Sequence, residues 1–146
     1  MGSKMVVLLL LMAVFVISNI PITYADSSGV GTAILAPVPF VAYSCPKDIV
    51  VSDLNLYTAA VDNTLWVSTQ QTCNTIYSVS CIGPDNICKK GKTVNVTVVD
   101  HCVTIAQCIL EDQYHILDST FELSTAAFLT IAYLTPNVYI YVGYTR

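Results

Sequence analysis

Charge is scarce in this chain: 11% of its 146 residues are charged, and the one basic cluster is Lys89-Lys90-Gly91-Lys92. With ten acidic residues against six basic ones, no positive field is available to hold nucleic acid or an anionic membrane. The lysine cluster is read as a solvated turn protecting a strand edge. Histidine is nearly absent too. His101 and His115 are the only two, and no Cys-x-x-Cys pair occurs, so a metal site is a weak reading of the cysteines and none is expected. There is no serine-hydrolase elbow and no phosphate loop. His101 adjoins Asp100, but neighbouring strand residues face opposite sides, so a direct acid–base pair is not expected. His115 falls in a polar loop with no recognisable partner. No cofactor is implied.

The one long apolar run spans residues 5–17. It follows Lys4 and precedes Pro21 and the small-residue site Thr23-Tyr24-Ala25, the order of a secretory signal peptide cleaved after Ala25. The run is short for a retained membrane span, so no membrane contact is expected after cleavage. Residues 26–146 then make a single domain, enough for one small core. All six cysteines, Cys45, Cys73, Cys81, Cys88, Cys102 and Cys108, follow the cleavage site. An even number in a secreted chain implies a disulfide framework, with several connectivities open. Asn95-Val96-Thr97 is an N-glycosylation sequon, the mark of a secreted glycoprotein.

The organising stretch is residues 93–102. Val94, Val96 and Val98 alternate with Thr93, Asn95 and Thr97, which predicts a half-buried strand ending at Asp100 where a loop begins. Before it, residues 26–31 read as a polar lead-in to a first strand at 32–35, and Pro37 and Pro39 confine residues 36–44 to an extended or edge segment. Residues 49–66 read as loop and short helix leading to a strand near 65–67. Residues 75–80 put Tyr77 and Val79 on one face and Ile76 and Ser78 on the other, before a turn-rich loop at 81–86. After Cys108 an acidic, irregular stretch runs to Asp118. Ser124 caps a helix carrying Phe128, Ile131 and Ala132 on one face, with Leu123 and Phe128 as a hydrophobic staple, and the helix stops near residues 135–137. The last strand, 138–142, turns Val138, Ile140 and Val142 one way and Tyr139 and Tyr141 the other. Many short strands with one clear helix predict a mainly β protein, a small closed barrel.

Two carboxylates stand out by position, Asp100 at a strand end and Glu122 just before the capped helix. Glycoside hydrolysis needs such a pair across a groove. The plainer roles are a favourable charge at a helix N-terminus for Glu122 and hydrogen bonding to loop amides for Asp100. Cys102 and Cys108 point to a disulfide rather than a nucleophile. Trp66, Tyr139 and Tyr141 are the candidate sugar-binding platform, although packing alone accounts for Trp66.

Gly31-Thr32-Ala33, Ser44-Cys45, Asn63-Thr64-Leu65-Trp66, Thr72-Cys73, Tyr77, Cys81-Ile82-Gly83, Cys88, Gly91-Lys92-Thr93-Val94, Val98-Val99-Asp100-His101-Cys102, Leu123-Ser124, Ala127-Phe128 and Tyr144-Thr145 together resemble the plant natriuretic peptide group. These are small secreted proteins whose domain is similar to family-45 endoglucanases and to the first domain of expansins. The resemblance implies a six-stranded double-psi β-barrel with one or two short helices, an apoplastic location, and signalling that affects water and ion balance or stress responses. It pairs Cys45 with Cys73, Cys81 with Cys88, and so Cys102 with Cys108; Ile76 stands where expansins carry a further cysteine. No second, carbohydrate-binding domain is expected after Arg146.

The departures bear on function. Ala36 and Pro37 stand where relatives have Tyr and a polar or acidic residue, and Asn74 replaces a glycine. Thr120-Phe121-Glu122 stands against the His-Phe-Asp of the expansins and hydrolases. A carboxylate remains, without its histidine neighbour or the early aspartate. The expectation is therefore a non-catalytic, monomeric protein with a vestigial groove at Asp100 and Glu122, whose partner is a cell-surface receptor. A wall-polysaccharide binding or loosening factor is the alternative. Each disulfide constrains the unfolded chain by about 2–4 kcal/mol, so reduction is expected to unfold the domain. Calorimetry with and without reductant checks this, and a full thermal transition retained after reduction would contradict it.

Overall fold

A computed structural model describes residues 27–36, 44–46, 57–102, 109–112, 115–135 and 139–146. Its elements are β1 (Ser28–Leu35), β2 (Thr58–Val61), α1 (Thr69–Thr72), β3 (Ile76–Gly83), β4 (Thr93–His101), β5 (Ile109–Asp112), β6 (His115–Asp118), β7 (Phe121–Leu123), α2 (Thr125–Ile131) and β8 (Tyr139–Thr145). Six of the strands close a barrel in the order β1-β7-β2-β4-β3-β8, and β8 returns to pair with β1. Strands β5 and β6 form a separate antiparallel pair. Two contacts in the barrel are parallel, β1 with β7 and β2 with β4; the others are antiparallel.

Alternation in the sequence decides what faces inward. Val94, Val96 and Val98 of β4, Tyr77 and Val79 of β3, and Ile140 and Val142 of β8 all enter one buried core with Phe121, Leu123, Ala59 and Val61. Ile76, out of phase with its neighbours, is 56% exposed. β2 is short and buried at all four positions. Its central alanines suit a strand hemmed in on both faces.

Ser124 connects the helix to the barrel. Its Oγ accepts hydrogen bonds from the amides of Ala127 at 3.4 Å and Thr58 at 3.2 Å, while its own amide donates to the Thr58 carbonyl at 2.9 Å. The cap therefore also starts β2. Ala127, Phe128 and Ile131 then pack into the strand core, together with the staple residue Leu123. The helix ends at Ile131, earlier than the sequence predicts, because Ala132 turns extended and bridges to Cys88. Lys89 completes that end: its amide donates to the Ile131 carbonyl and its Nζ to that of Leu129, with the ammonium over the Tyr133 ring. Carbonyls at a helix C-terminus favour such a cation. The edge-protecting role expected of the lysine turn has no object, since β4 is paired on both sides.

Cys45–Cys73 and Cys81–Cys88 are bonded as the resemblance implies. Cys102 is also disulfide-bonded, and Cys108 lies outside the described residues, as do residues 1–26 with the expected signal peptide. Several other expectations are corrected. Residues 58–61 are a strand rather than loop or helix, because β4 and β7 flank them. Residues 65–67 are not a strand; they follow a turn in which Asp62 Oδ1 accepts from Thr64 N, Thr64 Oγ1 and Leu65 N. β1 begins at Ser28 and β8 runs on to Thr145, each extended by pairing with the other. The stretch after Cys108 holds the β5–β6 pair, so His115 lies in a strand and not in a loop. Among the described residues no helix is long and apolar enough to cross a membrane.

Because the Ser124 hydroxyl serves two backbone donors at once, Ser124→Ala is expected to cost about 1–2 kcal/mol. Lys92→Ala, in an exposed turn, should stay within ~0.5 kcal/mol. Urea denaturation of both variants checks the difference.

Candidate functional site

Strand register gathers the site. Ala60 of β2 is the partner of Asp100 on β4 and of Glu122 on β7. Glu122 is in turn the partner of Ile34 on β1, and Ile34 of Tyr139 on β8. Partners across a ladder share a face, so Asp100, Ala60, Glu122, Ile34 and Tyr139 form one row on the side of the barrel wall away from the core. Asp100 and Glu122 are two strand spacings apart, about 10 Å between backbones. A bulge makes this possible. The register slips between Ala59 and Ala60, so that Val98 pairs with Ala59 but Asp100 with Ala60, and the extra residue Val99 brings Asp100 onto the outward row.

The row is covered. Asp100 is 8% exposed and Glu122 6%. Asp100 Oδ1 accepts three hydrogen bonds: from Ser44 N at 2.6 Å, Ser44 Oγ at 2.6 Å and His101 N at 2.8 Å. The Ser44 segment is held beside the same strand by the next residue, whose amide donates to the Val99 carbonyl and whose sulfur is bonded to Cys73. Asp100 is thus an anchor for Ser44, the loop-amide role foreseen for it. Glu122 is a strand residue and not a charge at a helix start. Cys102 Sγ lies 4.0 Å from its Oε2; a disulfide sulfur has no proton to donate, so this contact is apolar lining. Burial, and then the charge of Asp100, push the Glu122 carboxyl up to about 7.

His101 does not touch the Asp100 carboxylate with its ring. The imidazole stacks on Trp66 with centroids 4.4 Å apart and planes 2° from parallel, and its Nε2 is 2.9 Å from Asn63 Oδ1. Burial lowers its pKa, opposed by the charges of Asp100 and Asp62. The Asp62 turn puts Trp66 there, the Trp66 amide donating to the Asp62 carbonyl at 3.0 Å. Tyr139 and Tyr141 form a separate pair on β8, with rings 88° apart and hydroxyls 3.4 Å from each other. Tyr141 is 45% exposed. Among the described residues no ring contact joins Trp66 to either tyrosine, and the tyrosine pair makes a corner rather than a flat platform.

Ser44, Ala60 and Ile34 complete the site without having been singled out for it. Ser44 and Asn63 stand among the residues of the resemblance but with no role attached, and nothing in local periodicity marks Ala60. Among the described residues no group of three or more His, Cys, Asp or Glu side chains is placed to hold a metal ion. Asn95 is exposed on β4, away from this row. No protein-family model matches the chain, and no curated protein matches it.

The carboxyl of Glu122 keeps its proton in the folded state up to about pH 7, but ionises near its ordinary value of 4.5 in the unfolded chain. Between those values the folded protein binds more protons, so stability falls as pH rises from 4.5 to about 7. Glu122→Gln should remove that part of the pH dependence while leaving stability at pH 4 nearly unchanged. Chemical denaturation of both proteins across the range checks the sign; identical pH profiles would contradict it.

Proposed function

We propose that this chain is a secreted, non-catalytic β-barrel protein of the plant natriuretic peptide kind, signalling in the apoplast with effects on water and ion homeostasis or stress responses. The observation that carries the non-catalytic reading is the state of the two carboxylates. A glycosidase pair must face the scissile bond from both sides, one proton donor and one base or nucleophile. Here Asp100 Oδ1 already accepts from Ser44 and from the His101 amide, and Glu122 is buried beside the Cys102 sulfur. A vestigial groove retained as structure fits that arrangement better than a working one. The finer fold reading, a double-psi barrel of expansin type, draws support from the two parallel pairs within an otherwise antiparallel closed sheet. Disulfides are at home in an oxidising compartment, in keeping with export behind a signal peptide at residues 1–25. The partner in this reading is a receptor at the cell surface, and the protein acts as a monomer.

A second reading, a wall-polysaccharide binding or loosening factor, is favoured by the exposed Tyr139–Tyr141 corner, since an aromatic face can stack on a sugar ring. One experiment separates the readings. Oxidised protein applied to protoplasts should change cell volume or ion flux, reduced protein should not, and neither should release reducing ends from soluble β-glucan. Retention on isolated wall fractions that is lost in Tyr141→Ala would favour the second reading. Reducing ends that disappear in Glu122→Ala would overturn the non-catalytic assignment. Asp100→Ala is unsuited to this purpose because it removes the acceptor that holds Ser44.

A further inference from the structure

The outer face of β4, β3, β8 and β1 carries short side chains in two rows. Register places Asn95, Ser78, Thr145 and Ser28 side by side in one row, and Thr93, Ser80, Gly143 and Val30 in the next. Beyond Asn95 none of these is longer than valine or threonine. The strands are ~4.8 Å apart and alternate residues on one strand ~7 Å apart, so the two rows cover roughly 14 by 7 Å between backbone positions. A shallow depression of about 570 Å³ lies over all of these residues but Asn95, and Gly29 and Tyr144 also line it. Among the described residues no Asp, Glu, Lys or Arg side chain lines it.

Its chemistry suits a sugar. Hydroxyls both donate and accept hydrogen bonds, and Val30, 71% exposed, offers an apolar patch among them. A pyranose ring presents the same mixture, C–H faces with hydroxyls at the edge. At the β4 end of the first row stands Asn95, exposed and belonging to the sequon Asn95-Val96-Thr97. Val96 is fully buried and Thr97 nearly so, so the sequon is accessible to a transferase only before the barrel closes. Attachment during export fits that order of events. After folding, the alternation that buries Val94 and Val96 keeps Asn95 turned outward.

We propose that Asn95 carries an N-linked oligosaccharide and that its first sugars lie in this depression, running from β4 across β3 towards β8 and β1. The glycan covers a face that otherwise exposes Val30 and bare sheet, and adds bulk and solubility there. The proposal rests on the secretory part of the function above.

The test is expression of the full chain in a eukaryotic secretory host. The intact mass of protein from the medium should fall on treatment with peptide N-glycosidase. The extra mass should be missing in Asn95→Gln and in Thr97→Val, and present in Thr97→Ser. Protein in the medium with the bare polypeptide mass overturns the proposal alone; protein kept in the cell without sugar contradicts export and the proposal together. The seat has its own readout. Release of the glycan should be several-fold slower from folded than from denatured wild type, and Ser80→Tyr or Thr93→Tyr, which fill the depression from an outward strand position, should remove most of the difference. Equal release rates from folded and denatured wild type overturn the seating.

Discussion

Closure of the barrel through β2 is the constraint on which the rest depends. This four-residue strand lies between β4, which it meets in parallel, and β7, which it meets antiparallel. It has no length to spare, and Ser124 fixes where it starts by bonding Thr58 in both directions. Once that start is set, Ala59 and Val61 go into the core and Ala60 goes outward. Asp100 and Glu122 are then brought to either side of Ala60. The site is a product of register, so whatever disturbs the Ser124 cap or the slip at Val99 also moves the carboxylates.

The two acids have been given different environments within that row. Asp100 is surrounded by donors, two from Ser44 and one from its own chain neighbour. Glu122 faces burial and the Asp100 charge, which together favour its neutral form. The accepting oxygen of Asp100 holds the Ser44 segment, next to Cys45 and its bridge to Cys73. That acceptor attaches the Ser44 segment to the barrel wall. The His101 ring stacks on Trp66, with its Nε2 against Asn63 Oδ1.

What was legible in the sequence follows from which interactions are local. The valine alternation of β4, the Tyr77 and Val79 face of β3, the Ile140 and Val142 face of β8 and the Ser124 cap all depend on near neighbours, and each is found where the pattern puts it. β2 and β7 leave no local signal because Thr-Ala-Ala-Val and Phe-Glu-Leu are too short to show a period, and become strands only through partners far away in the chain. For the same reason the sequence offers Glu122 a helix-start role, whereas the residue lies in a strand. Asp100 was expected to bond loop amides, and it does, but Ser44 as the donor could come only from three-dimensional pairing. Closure of the barrel is invisible in a linear pattern, and it leaves the lysine turn no strand edge to guard; Lys89 instead finishes the helix at Leu129 and Ile131.

Asp100 and Glu122 flank Ala60, both buried, and Glu122 stays neutral well above the ordinary carboxylate range. Titration of the Glu122 side-chain carbonyl by carbon-13 NMR in the oxidised protein tests this most directly. A midpoint at about 7, moving down towards 4.5 when Asp100 is replaced by Asn, is the predicted result. A midpoint near 4.5 in the unsubstituted protein would mean that Glu122 is solvated and free of Asp100, and the account of the row would fail.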